Sequence, residues 1–403
     1  MTSQDFLTIL TYLAIPISCG LIGWITNIIA LKMTFYPLEY VGIRPIGWQG
    51  IVPAKSLKIA NKSVDLLSIK LLKMEEYFER LDPQRVAEEM TPSLKKISKQ
   101  IIEEVMEARA PTTWENTPTP IKQLLYQKAS EDLPTVVADV MADLKKNIRQ
   151  LLDLKALSLQ VLAKDKNLLN QIFLKCGAKE FKFIENSGFY FGTLFGIVQA
   201  VLFYYFQWRW LLPVFGFIVG FATNWIAIQL IFRPKKPIHL GFTTLIGLFF
   251  KRQKEVSAEY ARIVTSRILT TKQIFDFIIR GQGAKKFEEL VRKHVGRVVE
   301  NTAGVSRTLF ELAGGEKQID IIKDIASYRF MQELPIAIRD ALDYAEKALN
   351  IEENLREKMA ALSYDEFEGF LRPAFQEDEM TLILVGAVLG AIAGIGQQFL
   401  IFT

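Results

Sequence analysis

The stretch Gly23-Trp-Ile-Thr-Asn-Ile-Ile-Ala-Leu-Lys-Met-Thr-Phe-Tyr-Pro37 returns later in the chain as Gly220-Phe-Ala-Thr-Asn-Trp-Ile-Ala-Ile-Gln-Leu-Ile-Phe-Arg-Pro234. A shift of 197 residues lays Gly23, Thr26, Asn27, Ile29, Ala30, Phe35, Pro37 and Gly50 on Gly220, Thr223, Asn224, Ile226, Ala227, Phe232, Pro234 and Gly247 without a gap. Apolar sequence usually matches itself through Leu, Ile and Val. These identities include Thr, Asn and Pro, so the coincidence reads as an internal repeat.

Both stretches sit in or at the end of runs that carry no charge. There are four such runs, Phe6–Leu31, Asn186–Trp208, Trp210–Phe232 and Met380–Thr403. The composition averages 50% apolar and 23% charged over 403 residues, yet all of the 49 Lys and Arg and 44 Asp and Glu fall outside those runs. At about 1.5 Å of rise per residue each run covers the roughly 30 Å of a bilayer's hydrocarbon. A wholly soluble chain is therefore disfavoured. The first run is too long for a signal peptide and lacks a basic flank before it, so it reads as a retained anchor.

The second and fourth runs also match, at a shift of 194, where Gly192, Gly196 and Ala200 fall on Gly386, Gly390 and Gly394. Acidic residues precede both, Glu185 in one and Glu377, Asp378 and Glu379 in the other. The expected plan is a mainly α membrane protein of four transmembrane helices in two tandem parallel repeats. Repeat 1 spans 1–208, with a membrane helix at 6–31, a helical domain at 32–185 and a returning helix at 186–208. Repeat 2 spans 209–403, with helices at 210–232 and 380–403 around a domain at 233–379.

If every run spans, both charged domains share one side, and the Gln207-Trp208-Arg209-Trp210 hairpin lies on the other. Lys32, Arg44, Lys55, Lys179, Lys182, Arg233, Lys235, Lys236, Lys251 and Arg252 cluster near the helix ends on the domain side. Basic residues mark the cytoplasmic face, which places the bulk of the chain in the cytoplasm of a cell-membrane protein. The net charge of +5 is explained by this topology. No dense basic stripe of the kind that binds nucleic acid is present, since Lys and Arg alternate with Glu along helical faces.

Lipid gives helices no hydrophobic reason to associate, so small residues and interhelical hydrogen bonds must hold them. Gly192, Gly196, Gly386, Gly390 and Gly394 recur at four-residue spacing and mark the expected packing faces, which would equally serve a homo-oligomer. Thr26, Asn27, Thr223 and Asn224 form a candidate polar site inside the membrane. An asparagine facing lipid would leave its amide unsatisfied, so both must face helices, water or a ligand. One reading has them bond each other or nearby backbone. The other has them line a path for a solute or a lipid headgroup.

After each Asn-bearing run comes Phe-x-Pro and a short segment rich in turn signals, with Gly42, Pro45 and Gly47 in the first copy and Gly241 and Gly247 in the second. Each predicts a small β-hairpin close to the membrane. Trp48 and the Phe249-Phe250 pair would either rest in the headgroup layer or pack on the following helices. Beyond the hairpins the pattern is helical. Leu67, Leu71, Met74, Phe78 and Leu81 keep a helical stripe, as do Leu94, Ile97, Ile101 and Val105, then Val137, Met141, Leu144, Ile148 and Leu151. In the second copy Phe287, Val291 and Val298 continue the idea, as do Ile322 and Ile325. Breaks are expected at Asp82-Pro83, Pro111–Pro120, Pro134, Gly314-Gly315 and Pro335. The stripes suit a bundle core, or helices that lie on the bilayer and offer a groove to acyl chains.

Chemistry-bearing motifs are missing. Cys19, Cys176, His239 and His294 are the whole complement of Cys and His, too few and too scattered for a zinc cluster. Packing or surface roles are expected for all four. Neither a phosphate-binding loop nor a nucleophile elbow occurs. Paired carboxylates such as Glu88-Glu89 and Glu103-Glu104 fit solvated helix faces. No cofactor and no catalytic residue is expected, and the chain reads as non-enzymatic, with membrane lipid as its partner.

The duplicated Gly-x-x-Thr-Asn-x-Ile-Ala-x-x-x-x-x-Phe-x-Pro, with Trp48-Gln-Gly-Ile-Val-Pro53 after its first copy, resembles the bacterial membrane-protein family known as domain of unknown function 445. The likeness covers essentially the whole chain, but the second copy has Ile246-Gly-Leu-Phe-Phe250 in place of the Gln-Gly-Ile-Val-Pro stretch, so Pro53 is not duplicated. The resemblance implies membrane location and architecture and no activity. Three functions stay open: organising or handling lipid through the cytoplasmic domains, a transporter or channel with a polar path lined by Asn27 and Asn224, and an enzyme subunit or scaffold that only anchors partners.

Overall fold

A computed structural model describes residues 3–43, 46–206, 208, 210–240, 243–305, 316–372 and 379–402. Arg44, Pro45, Gln207, Arg209, Gly241, Gly314, Gly315, Glu377 and Asp378, named above, lie outside them. The protein is a mainly α membrane protein whose described residues include four helices long and apolar enough to cross a bilayer and two small antiparallel sheets. It forms two compact units, and each takes segments from both halves of the sequence: 1–67, 159–263 and 355–403 in the first, 68–158 and 264–354 in the second.

The membrane unit is built on α1 (Ser3–Phe35), α10 (Ala178–Phe206), α11 (Leu211–Phe232) and α20 (Glu379–Phe402). α1 packs along α10 and α11 along α20, while α10 touches α11 and α1 touches both α11 and α20. The helix of the second span begins at Ala178 rather than at Asn186, because the charged turn Lys179–Glu185 satisfies its backbone as well in water as the apolar part does in lipid. Pro16 lies inside α1. Large apolar side chains on the outer faces, Leu13, Ile17, Leu194, Val201 and Ile392 among them, are exposed, as lipid contact requires.

Each outgoing span ends in the same device. The peptides Tyr36-Pro37 and Arg233-Pro234 are both cis. The expected hairpins follow, β1 (Val41–Ile43) paired with β2 (Ile46–Trp48), and β3 (Ile238–Leu240) with β4 (Thr243–Leu245). Gly50 N–H then donates to Pro37 O (2.9 Å) and Gly247 N–H to Pro234 O (3.0 Å), tying each hairpin back to the helix end. A side chain at Gly50 would meet Phe35 C at 2.7 Å, and one at Gly247 would meet Ile231 O at 2.6 Å, so both positions need glycine for the chain to pass this close.

The open alternatives for the hairpin aromatics resolve toward packing. Trp48 Nε1 donates to Met33 O (3.0 Å), and Phe249 and Phe250 are buried, with Phe249 stacked on Phe367 at 4.8 Å. The unit also holds the helices α2 (Ile51–Ala54), α3 (Ser56–Leu66), α9 (Lys166–Cys176), α12 (Leu248–Lys251) and α19 (Tyr364–Leu371), and the larger parts of α8 (Leu154–Lys164), α13 (Gln253–Arg267) and α18 (Ile351–Ala360). Gln253 Nε2 reaches the carbonyls of Met359, Ala360 and Leu362, at 3.3, 3.3 and 2.8 Å, and so closes the end of α18.

The second unit is helical throughout its described residues. It contains α4 (Met74–Phe78), α5 (Pro83–Arg109), α6 (Pro111–Glu115), α7 (Thr119–Leu151), α14 (Thr271–Arg280), α15 (Ala284–Val305), α16 (Glu316–Ala337) and α17 (Leu342–Leu349). The apolar stripes form its core: Leu94, Ile97 and Val105 of α5 face Val137, Leu144 and Ile148 of α7, all buried. Asp82 caps α5, its carboxylate accepting from Gln84 N–H (3.0 Å). The stripe from Leu67 to Leu81 is buried throughout, but a π-helical turn (Leu67–Leu71) and α4 carry it in place of one helix.

Two expected breaks do not occur. Pro134 lies inside α7 and Pro335 inside α16. A proline costs a helix one backbone hydrogen bond and some straightness. Buried neighbours on both sides, Leu133 with Val136 and Val137, and Leu334 with Ala337 and Ile338, keep the helix packed across it.

Candidate functional site

Asn27 and Asn224 are buried, at 0% and 1% exposure, as are Thr26 and Thr223. They do not bond each other. Asn27 Nδ2 donates to Ile184 O of α10 (2.7 Å), and Asn224 Nδ2 to Leu382 O of α20 (3.4 Å). Thr26 Oγ1 donates to Gly23 O (3.1 Å) and Thr223 Oγ1 to Gly220 O (3.4 Å), within their own helices. The geometry repeats because each acceptor carbonyl precedes a glycine by four residues: Ile184 before Gly188, Leu382 before Gly386. With no side chain at that glycine, the carbonyl one turn back is open to a neighbouring helix. A Cβ on Gly188 would sit 2.7 Å from Asn27 Nδ2, and one on Gly386 would run into Asn224 Nδ2.

The remaining glycines extend the same contact lines. Gly192 lies against Cys19 O and Gly196 against Pro16, where added Cβ atoms would stand 2.7 Å away in each case. Gly390 faces Gly216, and a Cβ at Gly394 would be 2.5 Å from Leu212 O. The spans therefore touch backbone to backbone, which strengthens dispersion and weak Cα–H···O contacts where no hydrophobic effect operates.

Each asparagine spends its N–H2 group but not its oxygen. Asn27 Oδ1 and Asn224 Oδ1 are buried and have no hydrogen-bond partner among the described residues.

Sequence patterning missed a second polar cluster, nearer the opposite ends of the spans. Cys19 Sγ donates to Gln199 Oε1 (2.9 Å), Gln397 Nε2 donates to Ser18 Oγ (2.8 Å), and Ser18 Oγ donates to Ile15 O (2.9 Å). The cluster joins α1, α10 and α20. Its signal was a glutamine inside each of two apolar runs, which an inventory of charge passes over.

Ion pairs reach into the juxtamembrane layer of this unit. Arg252 grips both oxygens of Glu180 (2.7 and 2.6 Å), a carboxylate only 5% exposed at the start of α10. Lys235 pairs with Glu368 (2.6 Å), which Arg372 also contacts. Cys176 is buried, and that burial pushes its thiol up to about 12, while burial likewise raises the neighbouring Tyr260 phenol. Neither is poised for nucleophilic work at neutral pH.

In the second unit His294, 4% exposed, donates from Nε2 to Asp143 Oδ2 (2.8 Å), with Arg297 on its Nδ1. The His294 hydrogen bond, helped by Lys293, holds the Asp143 carboxyl below the usual range. Helices α5, α7, α15 and α16 line a small apolar cleft of about 80 Å³, walled by Ile101, Val105, Leu125, Val298, Ile322 and Phe330. No group of three or more His, Cys, Asp or Glu suited to a metal occurs among the described residues.

Comparison with known proteins agrees on location. No family model matches the chain, and no solved structure matches it. A UPF0754 membrane protein of Bacillus cereus (strain 03BB102) is 25% identical over 150 residues, 32% of this chain and 39% of the relative. Another from Shouchella clausii is 41% identical over 74 residues, 16% of this chain and 19% of the relative. The match thus spans about two fifths of the first relative's length or less. The chain is similar to membrane proteins of an uncharacterised family, and it is itself an integral membrane protein.

Proposed function

We propose that this protein handles or organises lipid at the cytoplasmic membrane surface without catalysing a reaction. The observation that carries the reading is the exposure of apolar side chains on the two hairpins. Ile43 is 85% and Val41 63% exposed, with Ile238 and Leu245 about half exposed. Both hairpins are tied by main-chain hydrogen bonds to the ends of membrane spans. A short apolar loop held there meets the headgroup layer, where burying it is worth about 25 cal/mol per Å². Lys32, Lys182 and Lys236 at the same ends supply the positive charge that favours a cytoplasmic face with anionic lipid.

A nitroxide at Ile43→Cys, in a Cys19→Ala, Cys176→Ala background reconstituted in bilayers, tests this. Collision with oxygen should exceed collision with a water-soluble nickel reagent. A label as accessible to nickel as one at the surface position Glu357→Cys sinks the reading.

The transporter reading rests on the two unpartnered oxygens of Asn27 and Asn224. If they line a path, replacing both with Leu abolishes solute flux in proteoliposomes. If they only pack, flux is the same as in empty vesicles before and after the change.

A further inference from the structure

The two helix pairs of the membrane unit share a frame but not a polar content. At the shifts that superimpose the sequences, Ser18 and Cys19 of α1 correspond to Phe215 and Gly216 of α11, and Thr193 and Gln199 of α10 correspond to Ala387 and Ala393 of α20. The first pair therefore carries hydroxyl, thiol and carboxamide groups where the second carries small or apolar ones.

Those groups satisfy one another only in part. Gln199 is 1% exposed, and its oxygen accepts from Cys19 Sγ, yet its Nε2 has no partner among the described residues. Thr193 Oγ1, buried on the same helix, has none either. Gln397, 5% exposed, approaches from α20, its Nε2 standing 2.8 Å from Ser18 Oγ and 3.8 Å from Cys19 Sγ. Turning the Gln199 carboxamide over would exchange an orphan N–H2 for an orphan oxygen. In hydrocarbon either is costly, because no water is at hand to pair with it. Buried polar groups left over in this way are the ones that ordered water serves, with two to four partners per water.

We infer that the cluster of Ser18, Cys19, Gln199 and Gln397 is a hydrated site within the membrane, built on the first helix pair with Gln397 reaching it from α20, and without a counterpart on the second pair. Every side chain in it is uncharged, so its occupant is a neutral hydrogen-bonding molecule, and water fits without requiring an ion to be desolvated. The site lies apart from the hairpins and is independent of lipid handling.

Cys19 itself reports on the site, because a thiol reacts with thiosulfonates only as thiolate, which forms where water reaches it. The full chain in lipid nanodiscs, with Cys176→Ser leaving Cys19 as the lone thiol, is treated with methyl methanethiosulfonate. The control carries Ala387→Cys, the counterpart of Thr193, in a Cys19→Ala, Cys176→Ser background. Cys19 should react at least about tenfold faster than the control cysteine, and Gln199→Leu should slow it by a similar factor. Equal rates at positions 19 and 387, or a Cys19 that reacts only after unfolding, overturn the inference. An undiminished rate in Gln199→Leu does so too. Should that variant fail to fold, the comparison of positions 19 and 387 decides alone.

Discussion

Gly188 and Gly386 each let two spans approach and expose the carbonyl that an asparagine needs. Ala at either position would push the carboxamide off Ile184 O or Leu382 O as well as separate the helices. Gly188→Ala or Gly386→Ala should cost about 1–3 kcal/mol, seen as a lower unfolding temperature in detergent. Gly396→Ala should change nothing, since a Cβ there finds nothing within 4 Å; equal losses in all three variants would refute the account. Asp143 sets a pH dependence. Its carboxyl is held low in the folded state by His294, so its contribution is present above the ordinary carboxylate pKa and is lost as pH falls through the folded value. Asp143→Asn should therefore be less stable than the native chain at about pH 7 and should approach it at about pH 2 to 3. A gap between their melting temperatures that is constant with pH contradicts this.

The elements were legible in the sequence to the extent that periodicity governs them. Uncharged runs became spans, turn residues became hairpins, and the stripes at Leu94–Val105 and Val137–Leu151 became core faces. What periodicity missed has identifiable causes. Pro134 and Pro335 read as breaks because local propensity disfavours them, and packing on both sides prevailed. Ser18, Gln199 and Gln397 escaped notice because uncharged polar residues scarcely alter an apolar run, and nothing in spacing brings position 397 to position 18. The hairpin anchors Gly50 and Gly247 yield a prediction at this scale. Val at either would strike the backbone of the preceding span end. The hairpin should detach, and limited proteolysis should then cut between residues 37 and 50, or 234 and 247, faster than in the native chain. Unchanged cleavage would show that the hairpin holds without the glycine.

At the scale of the molecule, the buried pair Glu180–Arg252 joins a helix of the first half to the turn between α12 and α13 of the second within the membrane unit. Removing one partner leaves a charge in a site 5% or 18% exposed, so Arg252→Ala should cost about 3–5 kcal/mol, measured by denaturant unfolding in mixed micelles. Arg262→Ala, which breaks the exposed pair with Glu259, should cost less than about 1 kcal/mol. Comparable effects at the two sites would count against a structural role for the buried pair. The interleaving of the two units also bears on synthesis. The helical unit needs residues up to Asn354, yet its first segment ends at Ser158. At about 5–20 residues per second a ribosome takes roughly 10–40 s to cover that interval. During that time the faces of α5 and α7 that will meet α15 and α16 have no partner from the second half of the chain, so the unit cannot complete its core until synthesis has passed Asn354.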